Sequence, residues 1–161
     1  MREQINEILY RVASETIEKL AFVFSFPEDE RGDTFQGSVV TAGISFTGTF
    51  SGNLIMTVST QVLPELAANM LGIDEEETTL DQQHDSLKEL INVICGNLLP
   101  AIAGEEVIFN IGAPRIITQG DSSIKEDRRK HISRVKLTFE KGQSDLLLFV
   151  EGEIPEVWLN G

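Results

Sequence analysis

Residues 79–104, TLDQQHDSLKELINVICGNLLPAIAG, decide the fold. Leu87, Leu90, Ile91, Ile94 and Leu98 recur at three- and four-residue steps, so a helix turning roughly 100° per residue gathers them into one apolar stripe. Thr78 or Thr79 supplies a hydroxyl to accept from the first unpaired N–H groups, which starts the helix near Leu80. Pro100 breaks or kinks the pattern and Gly104 ends it. Asp85, Glu89, Asn92 and Gly96 fall on a second, polar stripe, because positions i, i+4 and i+7 lie within about 50° of one another. At Gly96 the missing side chain lets another backbone or helix come close.

Upstream, Ile5, Ile8, Leu9, Val12, Ile17 and Leu20 mark an amphipathic first helix over roughly residues 3–23. A polar loop, Pro27 to Gly37, leads into a β-hairpin from Ser38 to Thr60, with Ser51-Gly52-Asn53 expected to form its turn. Pro64 suits the first turn of a short helix carrying Leu66, Ala67, Met70 and Leu71, which Gly72 closes, and Glu75-Glu76-Glu77 links it to the long helix. Downstream, Val107–Ile117, Ile132–Phe139 and Asp145–Val150 read as strands. A polar connection over 119–131 separates the first two, and a tight turn at Lys141-Gly142-Gln143 joins the last two. The expected fold is α+β, a single domain over residues 1–161 with helices packed on a largely antiparallel sheet, its halves echoing each other as helix followed by strands.

Composition narrows the function. Asp and Glu outnumber Lys and Arg by 26 to 13, a formal charge of −13, which opposes binding to a phosphate backbone; nucleic acid is not an expected partner. The basic run Arg128-Arg129-Lys130 with His131 follows Lys125-Glu126-Asp127 and reads as solvated connection. A single cysteine, Cys95, has no partner for an internal disulfide, and its apolar helical neighbours place it in packing rather than in nucleophilic chemistry. No signal-peptide run and no window approaching roughly 18 apolar residues is read, so no membrane association and a cytoplasmic location are expected. His84 and His131 lack metal-ligand spacing, and no glycine-rich phosphate loop is present, so no metal is expected on this chain.

By spacing alone the polar stripe of the long helix is the solvated side of an amphipathic helix. Asp85-x-x-x-Glu89-x-x-Asn92, followed by Gly96 and Pro114, also resembles the signature of the CheC, CheX and FliY chemotaxis phosphatases. The stretch from Gly43 to Ile55 and the helix ending Asn69-Met70-Leu71-Gly72 are similar to the hairpin and helix preceding that signature in CheX-like proteins, so the resemblance spans roughly residues 36–120. It implies a CheC-like fold with a helix-hairpin-helix pseudo-repeat, and an enzyme, a protein phosphatase that hydrolyses the aspartyl phosphate of a chemotaxis response regulator.

The resemblance assigns roles. Glu89 would ion-pair with the regulator's active-site lysine, and Asn92 would position the attacking water. An amide suits that task, since it donates and accepts but does not act as a base at neutral pH. The loose phosphoryl transition state needs little early proton abstraction, so a fixed water supplies much of the acceleration. Asp85, Gly96 and Pro114 complete the partner-binding set, Asp85 through docking or helix-end electrostatics and Pro114 mainly by shaping a strand entry. The magnesium and its carboxylate ligands would belong to the regulator, leaving no cofactor on this chain. The first helix offers Glu15-Thr16-Ile17-Glu18, which ends in glutamate where a second active pair needs asparagine, so one active helix is expected. The gap from Asn92 to Pro114 is one residue off the commonest family spacing. A homodimer is expected, with Leu146-Leu147-Leu148-Phe149 as its sheet edge. The alternatives are a non-catalytic adaptor binding a response regulator or flagellar switch component, and a small-ligand sensor.

Overall fold

A computed structural model of the chain describes residues 2–26, 37–118, 131–152 and 154. In order along the chain it holds α1 (Arg2–Ala21), β1 (Val39–Thr47), β2 (Ser51–Ser59), α2 (Leu63–Leu71), α3 (Leu80–Ala103), β3 (Asn110–Ile111), β4 (Arg115–Ile117), β5 (His131–Phe139) and β6 (Gly142–Glu151). The expected loop at Pro27 to Gly37 and the connection over 119–131 fall almost entirely outside the described residues, as does the run Arg128-Arg129-Lys130. The strands make one sheet in the order β3-β1-β2-β6-β5, with β4 also on β1 and every pairing antiparallel. This is the α+β architecture that the periodicities predict.

Strand alternation sends Ala42, Ile44 and Phe46 of β1, Leu54, Met56 and Val58 of β2, Val135 and Leu137 of β5, and Leu146 and Leu148 of β6 into one core with the helices. From α3, Leu87, Leu90, Ile91, Ile94 and Leu98 are all completely buried in that core, each contributing about 1.5–3 kcal/mol of transfer free energy. By length and composition α3 could also cross a membrane, which a reading of consecutive apolar residues does not register; its apolar side is occupied by the core, as in the central helix of a folded domain. The opposite sheet face carries a small cluster of Ile55, Ile117 and Phe149, with Leu147 packed against it.

Local chemistry sets the helix ends. Thr79 is the N-cap of α3: its hydroxyl accepts from the Gln82 N–H at 3.1 Å and the Gln82 side chain accepts from the Thr79 N–H at 3.0 Å, a complete capping box. Thr78 instead donates to the Glu75 carbonyl at 2.7 Å. Gly72 closes α2 in the left-handed conformation at φ 71°. Pro100 is accommodated within α3, which runs three residues further, to Ala103, before Gly104 ends it. Asn69 of α2 donates to the Ala21 carbonyl at 2.7 Å and so ties the end of α1 to its neighbour.

Four expectations need correction. The β1–β2 turn lies at Gly48-Thr49-Phe50, and Ser51-Gly52-Asn53 is already strand. Gly52 serves a close approach instead: a Cβ there would sit 1.9 Å from the Phe149 carbonyl oxygen. The strand expected over Val107–Ile117 is two short ones: the Gly112 N–H still donates to the Ser45 carbonyl of β1 at 2.8 Å, and the ladder breaks at Ala113-Pro114, where Pro114 has no N–H to donate. Likewise the β5–β6 turn is Glu140-Lys141, with Gly142 already paired to Phe139. Leu146 to Phe149 is no sheet edge, because β6 is hydrogen-bonded to β2 on one side and to β5 on the other.

Candidate functional site

On α3 the buried side chains occupy one half of the helix, and the opposite half rises as a ridge. Asp85 and Glu89 are exposed on it, and Asn92 and Gly96 are half-buried. The capping box fixes where the helix starts, and the core contacts of Leu87, Leu90, Ile91 and Ile94 fix its rotation, so the ridge is held on a rigid element. The structure thus brings four of the five predicted site residues onto one surface.

Their surroundings differ. Asp85 pairs with Lys88 three residues on, at 3.2 Å, with the carboxylate side chain 71% exposed, so the pair adds only a few tenths of a kcal/mol. Lys88 is thus part of the ridge, and opposite charges three residues apart on a helix are its signal in the sequence. Glu89 makes no ion pair with any described residue, and the Asn92 amide no hydrogen bond. Among the described residues no group of three or more His, Cys, Asp or Glu side chains assembles into a possible metal site.

Gly96 is the informative member. A Cβ added there meets nothing within 4 Å, so packing inside this chain does not require glycine. A mid-helix glycine nonetheless costs about 0.5–1 kcal/mol relative to alanine. Gly96→Ala is therefore expected to raise stability by about that amount in urea unfolding, while weakening any complex that needs close approach to the ridge. A destabilised variant would show that the space is not free.

Pro114 stands apart, half-buried between β3 and β4 on the outer side of β1, where it shapes the strand entry rather than extending the helical ridge. Cys95 faces the core, completely buried, and burial pushes its thiol up from an ordinary 9.0 to about 12. It is expected to resist a thiol reagent at pH 8 in the native protein and to react once urea unfolds it; rapid native labelling would contradict this packing.

α3 packs against both α1 and α2. Between α1 and α3 runs a groove of about 310 Å³ lined by Arg11, Val12, Glu15, Thr16, Lys19 and Leu20 from α1 and by Val93, Asn97 and Ala101 from α3. The first-helix glutamates separate here: Glu15 lines the groove and pairs with Arg11 at 3.9 Å, and Glu18 is exposed and does not line it.

Comparison with known proteins matches residues 40–139 to a family model described as chemotaxis phosphatase CheX. Among solved structures, a chain of the CheX-CheY-BeF3-Mg complex from Borrelia burgdorferi superposes with a TM-score of 0.65 at 15% identity, covering 91% of this chain and 97% of that one. Chemotaxis protein CheX from Vibrio vulnificus gives a TM-score of 0.70 at 15% identity, over 94% of this chain and 99% of that one. FliY from Thermotoga maritima gives 0.61 at 16% identity, over 99% and 93%. No curated protein sequence matches the chain significantly. At these identities the structural likeness establishes a shared CheC-like fold.

Proposed function

Because this chain belongs to the CheX family of chemotaxis phosphatases, we propose that it hydrolyses the aspartyl phosphate of a CheY-like response regulator. The ridge of α3 docks on the regulator's phosphorylation site. Glu89 supplies the carboxylate that pairs with a regulator lysine, and Asn92 holds the attacking water in line with phosphorus. The phosphoryl group and the magnesium that neutralises it are carried by the regulator, as the named components of the Borrelia complex suggest.

The observation that carries this reading is the open space over Gly96, beside a carboxylate and an amide that no described residue engages, on a helix whose opposite face is buried in the core. A merely solvated helix face has no use for a glycine at that position. We place the protein in the cytoplasm with its substrate, and as a homodimer joined through an edge strand. β5 is the terminal strand of the order and replaces Leu146 to Phe149 as the proposed edge, with Phe26 already covering it at Thr138. A monomer in light scattering at micromolar concentration would remove the dimer.

The deciding experiment mixes the purified protein with a phosphorylated chemotaxis regulator and follows phosphate release. Accelerated release that both Glu89→Ala and Asn92→Ala sharply reduce at subsaturating regulator supports the phosphatase. Binding without acceleration would instead establish the adaptor reading.

A further inference from the structure

The first helix lacks the asparagine of an active pair, yet its charged side chains line the wall of a groove that opens beside the α3 ridge. Val93 is four residues from Glu89 and so about 40° round the helix from it, and Asn97 follows one turn on. Both face α1, where Arg11, Glu15 and Lys19 succeed one another at four-residue steps. The floor is partly apolar, from Val12, Leu20, Val93 and Ala101.

Charge decides what such a groove would take. A chain of net charge −13, presenting Asp85 and Glu89 on its ridge, repels an acidic partner. Yet a regulator carrying a phosphoryl group and magnesium is acidic at that site, because magnesium is held by carboxylate and phosphate oxygens. Cations beside the ridge would offset the remaining repulsion between the two acidic surfaces. Lys88 is engaged by Asp85, and Arg11 is held by Glu15 at only 3.9 Å with both side chains more than half exposed. Lys19 pairs with no described residue.

We propose that the α1–α3 groove is a second docking subsite, in which Arg11 and Lys19 bind an acidic segment of the regulator beside its phosphorylated aspartate. This rests on the phosphatase reading of the ridge. The groove aligns the regulator and contributes affinity, and the ridge contributes the chemistry, so the two act on different kinetic parameters.

The test is the double charge reversal R11E/K19E, assayed for dephosphorylation of the regulator. KM is expected to rise about tenfold, near 1.4 kcal/mol, and to lose much of its salt dependence, with kcat unchanged. Lys136→Glu, on the sheet's other face, places one such charge reversal away from the groove, half the net-charge change of the double variant, and should leave KM where it was. The conservative R11K/K19R is expected to restore KM, separating the role from any effect of Lys19 on the end of α1. An unchanged KM in R11E/K19E overturns the proposal, as does an equal rise in Lys136→Glu. Should the reversal unfold the chain, R11Q/K19Q gives the same reading with a smaller rise. Titrating beryllofluoride-loaded regulator in a fluorescence binding assay separates the two hypotheses. A wild type that binds but does not hydrolyse, with weaker binding by R11E/K19E, sinks the phosphatase and keeps the subsite. Hydrolysis with equal binding by both sinks the subsite alone.

Discussion

Asn92→Ala is expected to lower kcat for phosphorylated-regulator hydrolysis by about two orders of magnitude, the usual loss when a reacting group is no longer held in position. The effect should fall on kcat with little change in KM, because the amide acts on the water in the transition state more than on docking. Asn92 is half-buried and makes no hydrogen bond with a described residue, so its removal should leave the unfolding midpoint almost unmoved. Asn92→Asp would not rescue activity, since it brings a carboxylate toward phosphate. Asn92→Gln keeps the amide but displaces it by one methylene, and most of the loss should remain. Stopped-flow or phosphate-release kinetics with the three variants checks the order. Full activity in Asn92→Ala would end the water-positioning mechanism, whatever the ridge binds. Glu89→Ala should differ in kind, raising KM through loss of the docking ion pair.

Gly52→Ala is expected to cost about 3 kcal/mol or more, toward the upper end of overpacking effects, because the atom added would meet backbone rather than a side chain that can turn aside. At 1.9 Å from the Phe149 carbonyl oxygen, its Cβ forces β2 and β6 apart, and Phe46 at 3.0 Å blocks the other direction. These central strands pair from Ser51↔Glu151 to Val58↔Ser144, so separation at one end loosens a ladder that supports the whole helical layer. For a domain of this size the melting temperature should fall by roughly 6–12 °C. A shift within about 2 °C would mean that the sheet relaxes there freely. Gly96→Ala provides the opposite sign in the same protein, since there the added methyl meets open space.

These two glycines show how far sequence reading reaches. Gly96 was legible because it lies on a helix whose period and core stripe are visible within 24 residues, so its position on the ridge follows from counting. Gly52 reads as a turn residue because Ser-Gly-Asn is turn chemistry, and the strand that claims it is about a hundred residues away. Phe50 shows the same competition. It is buried against Phe46 and Phe109, with ring centroids 5.9 and 5.0 Å away, so the chain turns before Ser51 to place that ring in the core.

The candidate site divides along the same line. Asp85, Glu89, Asn92 and Gly96 belong to one helix, and their mutual arrangement is fixed by helical geometry. Pro114 could be tied to them only by sequence spacing, and it lies on another element, between two short strands on β1. Arg11 and Lys19 carry no signal of their own in the sequence, where the first helix shows only its apolar stripe. Nothing in their local sequence says that α1 lies against α3 and opens a groove toward the ridge.

Periodicity and capping act over a few residues, so they suffice for the three helices, the four long strands, the polar ridge of α3 and the α+β class. Long-range packing alone makes β6 interior, turns Gly52 into a contact rather than a turn, and sets α1 beside the ridge. Those facts depend on which distant segments become neighbours, and that choice is made by burying all the apolar faces together, a condition that no single segment encodes.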